Sequence, residues 1–275
     1  MSKTVEFQKW QGLGNDFIIV DDRDAKLNPT PEQSQKMADR RFGIGWDQMM
    51  LVRKSRKADF KMSLLNADGS VAEMCGNGVR CFHRYLIDRG ITKKKNLSVE
   101  TLAGIIKTTL QGKLVEVDMG EPILDGPRIP VQMEGQIINR PIITEMGEYR
   151  ITAVSMGNPH IVIFADNIKD LPLARVGPML EKHELFPRRT NVHFAKVENA
   201  KSIFARTWER GAGITLACGT GACAVAVASV LNKKAGRNVI IHMPGGDLKI
   251  RWNEKDNRVY MTGPAEKVFT GKVQI

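Results

Sequence analysis

Cys75-Gly76-Asn77-Gly78-Val79-Arg80-Cys81 and Cys218-Gly219-Thr220-Gly221-Ala222-Cys223 decide how this chain is read, because one Gly-rich cysteine loop occurs twice, 143 residues apart. Self-similarity at a fixed offset marks an internal duplication. The register extends upstream of the loops: Gly14-Asn15 recurs as Gly157-Asn158, and Gln48 meets its amide counterpart Asn191, both again 143 residues on. Inside the loops one residue is lost. Cys81 then pairs with Cys223, Gly104 with Gly246, Met119 with Met261 and Pro122 with Pro264, all at an offset of 142.

The two halves predict the same elements. A first strand (Val5 to Trp10; Arg150 to Val154) leads through the Gly-Asn turn to an apolar strand (Phe17 to Val20; Ile161 to Phe164) and a mixed segment. The cysteine loop opens a helix (about Val79 to Arg89; about Ala222 to Lys234), and alternating strands follow (Leu97 to Val99, Gly104 to Leu110, Leu114 to Asp118; Val239 to His242, Asp247 to Trp252, Arg258 to Thr262). The second helix is apolar all round, as buried helices are, so strands are expected to wrap around it. The expected fold is α+β, with two similar pseudo-symmetric domains, each a β-sheet around a central helix. The domains are 1–120, completed by 264–275, and 121–263. Pro122 to Pro141, rich in Pro and Gly, reads as the connection. The site is expected in the cleft between the domains.

Composition narrows the classes. With 275 residues and 42% hydrophobic content, each domain has enough apolar material for a core. Met1 to Trp10 is mixed polar and no apolar run approaches the roughly 18 residues of a membrane span, so a soluble, unexported, cytoplasmic protein without a membrane partner is expected. Four cysteines in such a compartment are expected to be free thiols. The net charge of +11 invites a nucleic-acid reading, but Arg53-Lys54, Arg56-Lys57, Lys93-Lys94-Lys95, Arg188-Arg189 and Lys233-Lys234 are short and scattered, with no aromatic interleaving. No nucleic-acid partner is expected. A Cys₄ zinc site is disfavoured because C-x₅-C and C-x₄-C lack the usual knuckle spacing on the first pair. Dinucleotide binding fails too: Gly12-Leu13-Gly14 and Gly43-Ile44-Gly45 lack the third glycine at the right place.

The cysteine loops carry the chemistry. Glycines at the start of a helix expose backbone N–H groups that bind a carboxylate, and the helix dipole there favours thiolate over thiol. Duplication brings two such thiols to one ligand. Inverting a tetrahedral carbon needs a proton removed from one face and delivered to the other, and a pair of cysteines can do both. Cys81 and Cys223 fall inside the helices and read as small buried hydrophobes.

The motifs Gly12-Leu13-Gly14-Asn15-Asp16-Phe17, Asn66-Ala67-Asp68-Gly69-Ser70 with Cys75 to Cys81, Met156-Gly157-Asn158-Pro159-His160, Glu209-Arg210-Gly211-Ala212-Gly213 with Ala217 to Ala222, and Met261 to Glu266 resemble the diaminopimelate epimerase family nearly end to end. The resemblance implies interconversion of L,L- and meso-diaminopimelate on the way to lysine and peptidoglycan, with no cofactor and no metal, by a homodimer. It makes Cys75 and Cys218 the two bases. Asn15, Gln48, Asn66, Asn158, Asn191, Glu209 and Arg210 become substrate-binding groups. Gly76-Asn77 and Gly219-Thr220 supply N–H groups to the reacting carboxylate, and His160 with Glu209 supports the reacting amino group. A two-cysteine proline or hydroxyproline racemase is the runner-up, opposed by the polar set Asn66, Asn191 and Arg210. In the repeat register Asn66 faces Glu209 and Ala67 faces Arg210, so the symmetry is broken by one acid and one base. Arg210 is therefore assigned to the distal carboxylate. Ile214, where the family commonly has an acid, and Trp46, before Asp47-Gln48, depart from the family pattern.

Overall fold

The computed structural model describes residues 4–274. The chain divides into two units, Met1–Val117 with Gly263–Ile275, and Asp118–Thr262. In chain order the elements are β1 (Thr4–Gly12), β2 (Asn15–Asp21), α1 (Pro31–Ala38), β3 (Gln48–Arg53), β4 (Phe60–Asn66), β5 (Val71–Ala72), α2 (Gly76–Asp88), β6 (Asn96–Thr101), β7 (Gly104–Gln111) and β8 (Leu114–Asp118). There follow β9 (Arg140–Thr144), β10 (Gly147–Ser155), β11 (Pro159–Phe164), α3 (Leu173–Glu181), β12 (Asn191–Asn199), β13 (Ser202–Glu209), β14 (Gly213–Thr215) and α4 (Gly219–Leu231). The chain ends with β15 (Asn238–Met243), β16 (Gly246–Trp252), β17 (Val259–Pro264) and β18 (Glu266–Gln274).

The duplication is written into the strand registers. In the first unit β2 runs parallel to β3 with Phe17 opposite Gln48, and β3 is antiparallel to β4 with Met50 opposite Leu64. In the second, His160 lies opposite Asn191 and His193 opposite Thr207, each 143 residues on. Past the cysteine loops Phe60 pairs with Val99, and Ile203 with Ile241, which carries the offset of 142 into the sheet. The fold is thus the α+β arrangement of two similar domains that the repeat predicts. β18 pairs antiparallel with β1, from Thr4 opposite Gln274 to Gln11 opposite Glu266.

The helices begin earlier than their apolar periodicity suggests. Both start directly after the cysteine, at Gly76 and Gly219, and end at Asp88 and Leu231, because the Gly-rich loop forms the first turn instead of preceding it. In α4 Val225 and Val227 are fully buried, as its all-round apolar sequence requires, and burying each such side chain contributes about 1.5–3 kcal/mol. The mixed segments hold α1 with β3, β4 and β5 in the first unit and α3 with β12, β13 and β14 in the second, strands that the sequence reading did not assign. Thr30 caps α1 through a capping box with Gln33, and Pro31 occupies its first turn. Pro122 to Pro141 is more than a connection: Ile129, Val131 and Ile137 join the core of the second unit with Ile151, Ile161 and Phe194. The first unit's core gathers Phe7, Ile18, Val20, Trp46, Met49 and Leu51. Among the described residues no helix is long and apolar enough to cross a membrane.

Candidate active site

Cys75 and Cys218 are the N-cap residues of α2 and α4, with extended backbone (φ −138° and −126°) that turns each strand-like approach into a helix. The first-turn N–H groups have no intrahelical acceptor, so each sulfur sits at the positive end of a helix dipole. All four cysteines are free thiols, and Cys81 and Cys223 are buried. Burial pushes Cys81 up to about 12, which suits an inert packing residue.

In the first unit, Cys75 is half-buried and its Sγ accepts from the N–H of Gly78 at 3.4 Å. Its thiol faces the Oδ1 of Asn15, also at 3.4 Å, and the Nδ2 of Asn77 donates to the same oxygen. Asn15 is held from behind, because its Nδ2 donates to Asp47 at 2.7 Å. Asp47 and Asp16 exchange backbone-to-carboxylate hydrogen bonds, and Arg40 bridges the two carboxylates. Lys9 adds an ion pair to Asp16 at 2.6 Å. Burial raises the Asp16 carboxyl, but hydrogen bonds and charge from Arg40 and Lys9 outweigh it and hold it at about 2. Gln48 donates to Asn66 across β3 and β4 at 2.9 Å, and Asn66 donates to Ser70. The first unit therefore brings together Asn15, Cys75, Gly76 and Asn77, and separately links Gln48 with Asn66.

In the second unit, Cys218 is buried and its Sγ lies 3.6 Å from the hydroxyl of Thr220. The helix terminus favours thiolate at both sulfurs, and around Cys218 the environment outweighs it. Burial, followed by the charge of neighbouring Glu209, raises the thiol well above its ordinary value; Thr220 and the Gly221 N–H only partly offset this. Cys218 is accordingly a thiol at neutral pH.

Asn191 donates from Nδ2 to the carbonyl of Pro159 at 2.7 Å and accepts the N–H of Arg210 at 3.0 Å, which fixes the start of the Glu209-Arg210 turn. The Arg210 guanidinium is exposed and donates to the carbonyl of Arg188, with no carboxylate at ion-pair distance among the described residues. His160 is fully buried. One ring nitrogen meets Asn158 at 2.8 Å and the other meets His193 at 2.9 Å, so both are engaged within the protein, while Glu209 lies beside Cys218. Burial above all pushes His160 well below its ordinary value and keeps it neutral, and the charge of Arg210 acts in the same direction.

Asp47, His193 and Thr207 escaped the sequence reading. A signal existed for two of them. At the repeat offset His193 stands where the first half has Met50, and Thr207 where it has Leu64, so a polar pair replaces an apolar one at buried positions.

A family model described as diaminopimelate epimerase matches residues 7–124 and 152–268. The diaminopimelate epimerase of Leptospira biflexa is 47% identical over 98% of this chain and 99% of its own length. That of Acetivibrio thermocellus is 50% identical over 98% of this chain and 99% of its own. Among solved structures, a hydroxyproline epimerase from Agrobacterium vitis with bound trans-4-hydroxy-L-proline superposes over 99% of this chain and 93% of its own, at TM-score 0.69 and 15% identity, a likeness of fold. Two matched segments spanning most of the chain and near-full-length identity of about half place the sequence: this chain belongs to the diaminopimelate epimerase family.

Proposed function

We propose that this chain interconverts L,L- and meso-diaminopimelate by a cofactor-free two-base mechanism in which Cys75 and Cys218 act on opposite faces of one Cα. The observation that carries the reading is the pair of free thiols, each capping its own helix, in a chain 47–50% identical over nearly its whole length to diaminopimelate epimerases.

Cys75 as thiolate takes the Cα proton and becomes a thiol. The electron pair left on Cα is delocalised into the adjacent carboxylate, whose growing charge meets the first-turn N–H groups of Gly76, Asn77, Gly219 and Thr220. Cys218, held as a thiol by burial and by Glu209, delivers its proton to the opposite face and is left as thiolate. The reverse reaction exchanges the roles. This assignment of Cys218 as the resting acid supports Cys75 as the base toward the L,L isomer. Asn15, Gln48, Asn66, Asn158 and Asn191 hold the amino-acid heads, and Arg210 takes the distal carboxylate in a bidentate pair, since among the described residues no carboxylate stands at ion-pair distance from its guanidinium. Proton abstraction next to a carboxylate needs water kept out. The enzyme works as a cytoplasmic homodimer supplying lysine and peptidoglycan precursors.

The test is direct. Purified protein without added cofactor is incubated with L,L-diaminopimelate and the stereoisomers are separated, with L-proline and trans-4-hydroxy-L-proline as controls. Meso product from diaminopimelate, and no inversion of either imino acid, is expected. Inversion of proline with none of diaminopimelate would overturn the reading.

A further inference from the structure

The two halves differ in polarity at three buried positions related by the repeat. Phe17, Met50 and Leu64 form an apolar column in the first unit, with Phe17 and Met50 packed near Gly78 at the head of α2. At the matching registers the second unit has His160, His193 and Thr207, equally buried, with the His193 ring pressed against Gly221 at the head of α4. Here the contacts are hydrogen bonds: Thr207 to His193 Nδ1 at 3.0 Å, His193 Nε2 to His160 Nδ1 at 2.9 Å, and His160 Nε2 to Asn158 Oδ1 at 2.8 Å.

The direction of this chain is determined at its end. An amide oxygen can only accept, so Nε2 of His160 carries the hydrogen. A neutral imidazole has one hydrogen, which leaves Nδ1 of His160 as an acceptor and requires His193 to donate from Nε2. His193 then accepts at Nδ1 from the Thr207 hydroxyl. Burial keeps His193 neutral, pushed down to about 3. Asn158 is half-buried, and with its oxygen taken its Nδ2 makes no hydrogen bond within the described residues.

Its repeat partner is wired the other way. Asn15 spends Nδ2 on Asp47 and turns Oδ1 toward Cys75 and Asn77. The turns match this difference: Gly12 pairs with Asn15 across two intervening residues, whereas Ser155 pairs with Pro159 across three, so Asn15 lies on its strand and Asn158 lies within the loop.

We infer that His193, backed by Thr207, is a positioning residue that acts through His160 to fix the polarity of Asn158, so that this asparagine presents an N–H donor to a carboxylate of the amino-acid substrate. The identity of that carboxylate rests on the epimerase reading; the relay is a property of the second unit alone. The two equivalent asparagines are thereby set with opposite ends available, Asn15 accepting in the first unit and Asn158 donating in the second.

The experiment compares His193→Met, His193→Gln and wild type as full chains. Met already fills the corresponding register in the first unit, so His193→Met is expected to fold; Gln restores an N–H at the place of Nε2. For His193→Met, kcat/KM for diaminopimelate is expected to fall about ten- to a hundredfold, mostly through KM, and for His193→Gln to recover to within about threefold of wild type. Thermal unfolding checks the fold, and ¹⁵N NMR of histidine-labelled protein reads the His160 tautomer, expected with hydrogen on Nε2 and none on Nδ1. Wild-type kinetics in His193→Met, a folded His193→Gln no better than His193→Met, or hydrogen on Nδ1 of His160 would each overturn the inference. A wild type inactive on diaminopimelate but with the expected tautomer would sink the epimerase reading and leave the relay standing.

Discussion

Asn15 donates to Asp47 at 2.7 Å, and that single bond decides which end of the asparagine amide faces Cys75. Asp47 also binds Arg40 and the N–H of Asp16, so it ties the β1–β2 turn to the start of β3. Asp47→Ala is expected to free the amide, lowering kcat/KM about tenfold, and to cost about 1 kcal/mol in stability, a small figure because the Asp47 side chain is 42% exposed. Asp47→Asn keeps an acceptor oxygen and should fall between. Urea unfolding and steady-state kinetics read both effects.

The thiols should differ in reactivity. Cys218 is buried and held protonated, whereas Cys75 is half-exposed, so iodoacetamide near pH 7 is expected to modify Cys75 first and to spare Cys81 and Cys223. Glu209→Gln removes the negative charge that disfavours the Cys218 thiolate. Its pKa then falls, and alkylation of Cys218 at fixed pH should speed up by several-fold or more. Peptide mass spectrometry against time distinguishes the four sites.

Gly221 and Gly78 occupy the same place in the two loops but tolerate a methyl group differently. A Cβ at Gly221 would overlap the His193 ring, while one at Gly78 would meet Phe17 and the Cys75 Cβ at 3.3 Å. Gly221→Ala should therefore cost about 1–3 kcal/mol and Gly78→Ala less. Thermal melts of the two variants decide this.

Buried neutral histidines make stability fall in acid. His83 is fully buried, its Nδ1 bonded to Thr108, and burial lowers it from 6.5 to about 4. Above pH 6.5 neither state binds the proton. Between 6.5 and about 4 the unfolded chain binds it and the folded one does not, so stability is lost as pH falls through that window, on the order of 3 kcal/mol. Urea midpoints at pH 7.5, 6 and 4.5 should decline steadily, and His83→Phe should flatten the decline.

Arg210→Lys keeps the charge and loses the fork. If Arg210 grips the distal carboxylate, kcat/KM for diaminopimelate should drop about ten- to a hundredfold, carried mainly by KM. Unchanged kinetics would remove Arg210 from the site.

Much of this was legible in the residues because a duplication prints itself twice. The offset of 143, slipping to 142 inside the cysteine loop, marks Cys75 and Cys218 as a pair and recurs in the strand registers. The strands β3, β4, β12 and β13, which set Gln48 opposite Asn66 and Asn191 beside the Glu209 turn, escaped, because they lie in the segments read only as mixed, and other features escaped with them. Helix α1 is short, and its capping box at Thr30 and Gln33 is visible only to a reader looking for caps. The polarity of Asn15 and Asn158 depends on Asp47 and on the His160, His193 and Thr207 column, partners brought together across neighbouring strands, where no local spacing records them. At Cys218 burial and Glu209 outweigh the helix terminus, a balance that no local spacing records.

The two-base claim is tested most directly by following wild-type epimerisation of L,L-diaminopimelate in D₂O at low conversion. Separate acids on the two faces mean that the meso product carries solvent deuterium at the inverted carbon while the remaining L,L substrate stays almost unlabelled. Product that keeps its original hydrogen, or deuterium shared equally between product and unreacted substrate, would contradict the mechanism.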